Sequence, residues 1–207
     1  MRLARLRSKR RRTHGQALVE FALVILPFLT VVIATFEFTF LFTEYVDLGY
    51  ATHDASQLAA ELGDTPNADT AILQRIQSDI MIPANPSQIL SVDIYWVNTA
   101  TSNASPVAGA EDIYQYDVAN HPFLDLNAAT VYLPFKTIGT GYPPQQRCNV
   151  NLGTGCLPSG THNTVDTIAV KITYQHTWIT PFPGLVGGGS TGPVLSSVNV
   201  MRLEPVQ

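Results

Sequence analysis

Hydrophobic residues form one long block close to the N-terminus. The chain is apolar from Ala17 to Phe42, with Glu20 and Glu37 as the two charged interruptions. At a rise of about 1.5 Å per residue this stretch makes a helix of about 39 Å, which is enough to cross a hydrocarbon core of roughly 30 Å. The pattern therefore predicts one membrane-spanning helix.

The helical pattern continues beyond the apolar block. Apolar residues recur at helical spacing and form a narrow stripe: Ala51, Ala55, Leu58, Ala59 and Leu62. Gly63 and Asp64 predict the end of this helix. Thr65 and Pro66 resemble a helix start, and they predict a second short helix with Ile72, Ile76 and Ile80 on one face. We expect both apolar faces to pack in a core.

After Pro86 the hydrophobic period changes to two. The segments SQILSVDIYWV (87–97) and VDTIAVKITYQHTW (165–178) alternate, and weaker strand patterns occur in DIYQYDV, TVYLPF and VLSSVNVMRL. In the second segment one face carries Ile168, Val170, Ile172, Tyr174, His176 and Trp178. The fold class predicted is α+β: a long N-terminal helix packed against an antiparallel sheet of four or five strands.

The charge distribution gives the span a direction. The net charge is −4, but seven of the twelve Lys and Arg residues precede Gln16, whereas all sixteen acidic residues follow it. Basic residues concentrate on the cytoplasmic side of a span, so we expect a single-pass protein with its N-terminus in the cytoplasm. We do not expect nucleic-acid binding, because no binding fold or aromatic pattern accompanies the arginines.

The two cysteines lie in the outward part. Cys148 and Cys156 belong to the Gly- and Pro-rich segment RCNVNLGTGCLP. Outside the cytoplasm such a pair predicts a disulfide, and closing so short a loop would stabilise the fold by roughly 2 to 3 kcal/mol. A metal site would need two more ligands, which His162 alone does not supply.

No motif predicts catalysis or a cofactor. GGGSTG (187–192) satisfies G-x-G-x-x-G, but a proline and an alternating strand follow it instead of a helix, so it predicts a hairpin loop. The five histidines show no metal-ligand spacing, and the carboxylates are scattered rather than paired along the sequence. We therefore expect no enzymatic activity, no cofactor and no metal.

Glu20 is the residue that the apolar block does not explain, because a carboxylate in lipid is costly. Cleavage by signal peptidase after Val32-Ile33-Ala34 would release a secreted domain that starts at Thr35. Without cleavage the chain would be a signal-anchored binding module, with Glu20 near the cytoplasmic interface. Neither alternative gives this glutamate a function.

The N-terminus resembles a known family. The segment GQALVEFALVILPFL, followed by ATFEF, is similar to the TadE-like family, the minor pseudopilins of Flp-pilus tight-adherence systems. The segments DTIAVKITYQHTWITPFPGL and LSSVNVMRLEP are similar to the family's last strands. The resemblance implies that a prepilin peptidase cuts after Gly15, that Gln16 becomes the new N-terminus, and that Glu20 pairs with a neighbouring subunit.

The resemblance also implies an organisation and partners. Residues 1–15 would be a basic leader, 16–44 the transmembrane helix and 45–207 an extracytoplasmic domain. The expected partners are the peptidase, other pilins and pseudopilins, the Tad inner-membrane assembly machinery and the lipid bilayer. The protein is expected in the bacterial inner membrane, with its C-terminal domain periplasmic or extracellular, or in the pilus itself.

Overall fold

A computed structural model describes residues 13–80, 82–99, 104–117, 122–124, 130–149, 165–181, 184, 188–189 and 191–204. Helix α1, Thr13–Leu62, is continuous and runs through Pro27. It ends at Gly63, whose φ of 53° suits a residue without a Cβ and whose N–H donates to the carbonyl of Ala59. The predicted continuation of the span and its predicted end are both confirmed.

Helix α2, Ala68–Asp79, follows after a short turn. Its N-cap is Asn67, so the helix starts later than Thr65 and Pro66 predicted, and those two residues lie in the turn. The predicted apolar face is confirmed, because Ile72 and Ile76 are fully buried. When apolar periodicity is clear but capping signals are not, the buried face of a helix is usually predicted correctly and its first residue is not.

In the described residues, seven strands follow the helices. They are β1 (Ile89–Val97), β2 (Pro106–Tyr116), β3 (Pro122–Leu124), β4 (Thr130–Tyr132), β5 (Phe135–Thr140), β6 (Thr167–Thr177) and β7 (Thr191–Arg202). Five of them form one antiparallel sheet in the order β5-β2-β1-β6-β7, and β3 pairs with β4 in a separate hairpin. The predicted α+β class is confirmed.

One predicted strand is divided in the structure. TVYLPF contains all of β4 and the first residue of β5, with a break at Leu133 and Pro134 between them. Proline has no N–H for a strand ladder, but the carbonyl of Pro134 accepts a 2.8 Å hydrogen bond from Asp117. The proline thus separates the small hairpin from the main sheet.

The second half of α1 packs against one face of the sheet. Its fully buried alanines, Ala51, Ala55 and Ala59, let the helix approach β6 and β7 closely. The Oγ atoms of Thr52 and Ser197 lie 2.8 Å apart, and further along both elements the Glu204 N–H donates to the carbonyl of Ala60. Strand β7 therefore runs in the same direction as α1, away from the apolar block.

Candidate functional site

The predicted processing and assembly residues lie together at the start of α1. Gly15 and Gln16 are in its first turns, and Glu20 follows one turn later. The Nε2 atom of Gln16 donates a 2.9 Å hydrogen bond to Glu20, and both side chains are exposed. Within the chain, the glutamine that would become the N-terminus is thus already next to the glutamate.

The first half of α1 is an apolar rod that the described part of the chain leaves largely uncovered. From Gln16 to Phe36 every side chain is exposed or half-buried, including Leu18, Phe21 and Phe28 at 69%, 63% and 59% exposure. The helix is long and apolar enough to span a membrane, with a mean hydropathy of 2.6 in its most apolar window. So large an exposed apolar surface is typical of a segment covered by lipid or by other helices.

Glu37 is buried against the domain. This side chain is 4% exposed, and its carboxylate accepts hydrogen bonds from the backbone N–H groups of Ile179 and Thr180, just after β6. The partners are 142 and 143 residues away in the chain. Glu37 therefore holds the end of β6 against the helix, within the last third of the apolar block.

Two helical turns later, Glu44 makes a second contact with the same strand. Its Oε2 atom lies 2.6 Å from Nδ1 of His176, and both side chains are almost completely buried. The His176 ring packs edge-on against Trp178, with 4.9 Å between ring centroids. A Cβ at Gly192 would overlap the His176 ring, so glycine makes room for the imidazole under β7.

These two glutamates extend the buried stripe of α1 toward its N-terminus. The stripe reads Glu37, Glu44, Leu48, Ala51, Ala55 and Ala59, with successive members three, four or seven residues apart. The apolar positions alone predict a stripe that begins at Ala51. The two glutamates were not predicted to belong to it because a carboxylate on a helix is normally solvated, and only the alternation that buries His176 indicated a polar partner.

A second buried polar cluster lies at the opposite end of the sheet around Arg147. Its guanidinium, which has no exposed surface, donates to the carboxylate of Asp69 and lies 3.9 Å from Asp112. Tyr114 donates to Asp69 at 2.6 Å, and Tyr142 donates to Asp166 at 2.7 Å. The carboxylates that looked scattered along the sequence therefore meet in space, which corrects that interpretation.

Burial sets the ionisation of the Arg147 cluster. It raises the pKa of Asp112 to about 7, and the charge of Asp69 adds to this, against the opposing effects of the Tyr142 N–H and Arg147. Burial likewise raises the pKa of Tyr114 and Tyr142 far above the ordinary range. The cluster thus balances one arginine against closely spaced carboxyl groups, which is a structural arrangement that joins α2 to the sheet.

The remaining predicted residues are only partly within the described part of the chain. Cys148 is fully buried and its N–H donates to Asp166, but Cys156 lies outside the described residues, so the disulfide stays a prediction. Residues 1–12 of the basic leader and His162 also lie outside. In the described ranges, no group of three or more His, Cys, Asp or Glu side chains could hold a metal ion.

Comparison with known proteins identifies the N-terminal region. A family model described as TadE-like protein matches residues 15–57, which confirms the resemblance. The match starts at the glycine of the predicted cleavage site and ends in the domain-contacting half of α1; it does not extend to the last strands. No curated protein and no solved structure matches the chain.

Proposed function

Because residues 15–57 match the family model described as TadE-like protein, we propose that the protein is a minor pseudopilin that assists assembly of Flp-type pili in tight-adherence systems. The proposal includes cleavage by a prepilin peptidase between Gly15 and Gln16. It places the protein in the inner membrane, with the leader in the cytoplasm and the α+β domain outside.

The observation that carries the proposal is Glu20. It is an exposed carboxylate on an otherwise uncharged apolar rod, and its partner within the chain is the Gln16 side chain. An amide offsets little of the cost of a carboxylate in lipid, whereas a positive charge offsets more. Hydrolysis of the Gly15–Gln16 peptide bond creates such a charge, since the new α-amino group is protonated at neutral pH.

The α-amino group that pairs with Glu20 is supplied, in this proposal, by a neighbouring subunit. The pair forms only when two processed helices lie side by side in register, so an unassembled subunit keeps a carboxylate that lacks this positive partner. Glu20 thereby favours assembly and fixes the axial position of one subunit against the next.

The test is the substitution Glu20→Ala in the native host. The variant should be cleaved as efficiently as the wild type, because the cut bond is unchanged, but it should fail to support piliation. Glu20→Asp is the matched variant that keeps the charge on a shorter side chain, and we expect it to restore part of the pili. Normal piliation with Glu20→Ala would show that Glu20 is not an assembly contact.

A further inference from the structure

The four residues after β6, Trp178–Pro181, are held at a fixed position along the axis of α1. The backbone N–H groups of Ile179 and Thr180 donate to the carboxylate of Glu37, and the Trp178 ring packs on His176, which contacts Glu44. We call residues 178–181 the post-β6 segment. Its position along the helix is set by two contacts of α1, two helical turns apart.

This axial position coincides with the end of an exposed apolar part of α1 whose length is close to the thickness of a bilayer's hydrocarbon core. From Gln16 onward, Glu37 is the first buried residue of α1, and no side chain from Gln16 to Phe36 is buried. At about 1.5 Å per residue that part is about 32 Å long, close to the roughly 30 Å of a hydrocarbon core. If α1 spans the membrane from its processed end, the post-β6 segment lies at the outer boundary of the lipid.

The side chains of this region suit such a boundary. Ile179 is 56% exposed, and on the helix Phe36, Phe38 and Phe42 are 58%, 69% and 57% exposed. The post-β6 segment has no charged residue, and its tryptophan is half-buried. Tryptophan is enriched at membrane–water interfaces because it combines a large apolar ring with one N–H donor.

Two backbone N–H groups of the post-β6 segment also have an acceptor, which a segment in a water-poor environment needs. An irregular segment near lipid is costly when its N–H groups have no acceptor. Here the N–H groups of Ile179 and Thr180 are both satisfied by Glu37, whose carboxylate is itself shielded from solvent. The glutamate thus allows an irregular segment to lie at the membrane while these two backbone N–H groups keep their acceptor.

We propose that the post-β6 segment is a second membrane contact of this protein, with Trp178 and Ile179 seated in the interfacial region of the bilayer. The inference rests on the membrane anchoring included in the proposed function. With contacts at α1 and at this segment, the domain is fixed in tilt and rotation on the membrane surface. The domain then presents the same surface to partners at all times, because it does not rotate about the helix axis.

The chain offers a matched pair of reporters, since Trp96 and Trp178 are its two tryptophans. Trp96 pairs with Ile168, at the other end of β6 from Trp178. Ten residues of strand separate these ends, which corresponds to roughly 33 Å. Trp96→Phe leaves Trp178 as the single tryptophan, and Trp178→Phe leaves Trp96 as the control; tryptophan emission is followed.

Each full-length variant is reconstituted into phosphatidylcholine–phosphatidylglycerol vesicles with or without lipids brominated near the headgroup end of the acyl chain. The account predicts strong quenching of Trp178 and almost none of Trp96, in variants whose thermal unfolding matches the wild type. If Trp178 is not quenched while the protein resists alkaline extraction, the segment does not touch lipid and the inference is wrong, although the anchor stands. Release by alkaline extraction would instead contradict the anchoring itself.

Discussion

The Nδ1 atom of His176 lies 2.6 Å from the Oε2 atom of Glu44, and the two residues are 132 positions apart in the chain. One belongs to the helix that leaves the apolar block and the other to the penultimate strand of the sheet. Neither side chain exposes more than 3% of its surface. The contact therefore joins the buried half of α1 to the sheet, two helical turns beyond Glu37.

Removing this contact should destabilise the domain. Taking away one partner of a buried polar pair leaves the other without compensation, which costs about 3 to 5 kcal/mol. We predict a loss of this size in the free energy of unfolding for Glu44→Ala and for His176→Ala. In the double variant the losses should be less than additive, because the same pair is removed twice. Urea unfolding of the full-length protein in detergent measures all three.

A surface glutamate of the same helix serves as the control. Glu61 is exposed, and its side chain accepts a 3.3 Å hydrogen bond from Gln57. Glu61→Ala should change the free energy of unfolding by no more than about 0.5 kcal/mol. Additive losses in the double variant would show that Glu44 and His176 act independently.

Asp112 should make stability depend on pH. Its pKa is about 7 in the folded protein, against an ordinary value of 3.8. Because the folded state binds the proton more tightly, stability from this group is present at low pH and is lost as the pH rises from about 4 to about 7. The groups facing it are Asp69 and Arg147. We predict that Asp112→Asn, which stays neutral, loses less stability over this range than the wild type.

The comparison is made by urea unfolding at pH 4.5, 5.5, 6.5 and 7.5 in the same detergent. The difference in unfolding free energy between wild type and Asp112→Asn should move in favour of the variant as the pH rises. Asparagine keeps the oxygen that accepts the 2.8 Å bond from the Tyr142 N–H, so the local geometry is retained. A difference that is flat with pH would mean that Asp112 is already ionised in the folded state.

The predicted disulfide can be tested by mass. Cys148 is fully buried, next to the Arg147 cluster, and it donates its N–H to Asp166. If Cys148 and Cys156 are bonded, alkylation of the denatured protein should add no group without reductant and two groups after reduction. We expect reduction to lower the free energy of unfolding by roughly 2 to 3 kcal/mol. Two groups added without reductant would rule the bond out.

The sequence predicted those elements whose packing surface is apolar and periodic. The alternation in β6 identified the buried face from Ile168 to His176, and the alanines of α1 identified the side that meets the sheet. In both cases the burial of apolar side chains determines which face packs in the core, so the spacing of apolar residues predicts that face. The start of α2 was predicted too early, because Thr65 and Pro66 lie in the turn that precedes the N-cap Asn67.

The polar contacts were not predictable in the same way. Glu37 bonds to backbone groups beyond β6, and Arg147 bonds to Asp69 on α2, so the partners are distant in the chain. A charged residue carries no periodic signal of its own, and its burial depends on a partner that only the fold supplies. The N-terminus differs, since Gly15, Gln16 and Glu20 are close in sequence and carry the resemblance that the family model matches.

The central claim is that the mature protein begins at Gln16. The most direct measurement is the N-terminal sequence and intact mass of the protein from native membranes, with and without the prepilin peptidase. The account predicts a start at Gln16 that disappears when the peptidase is absent. A start at Met1 or Thr35 in the presence of the peptidase would contradict processing at Gly15, and with it the assembly role of Glu20.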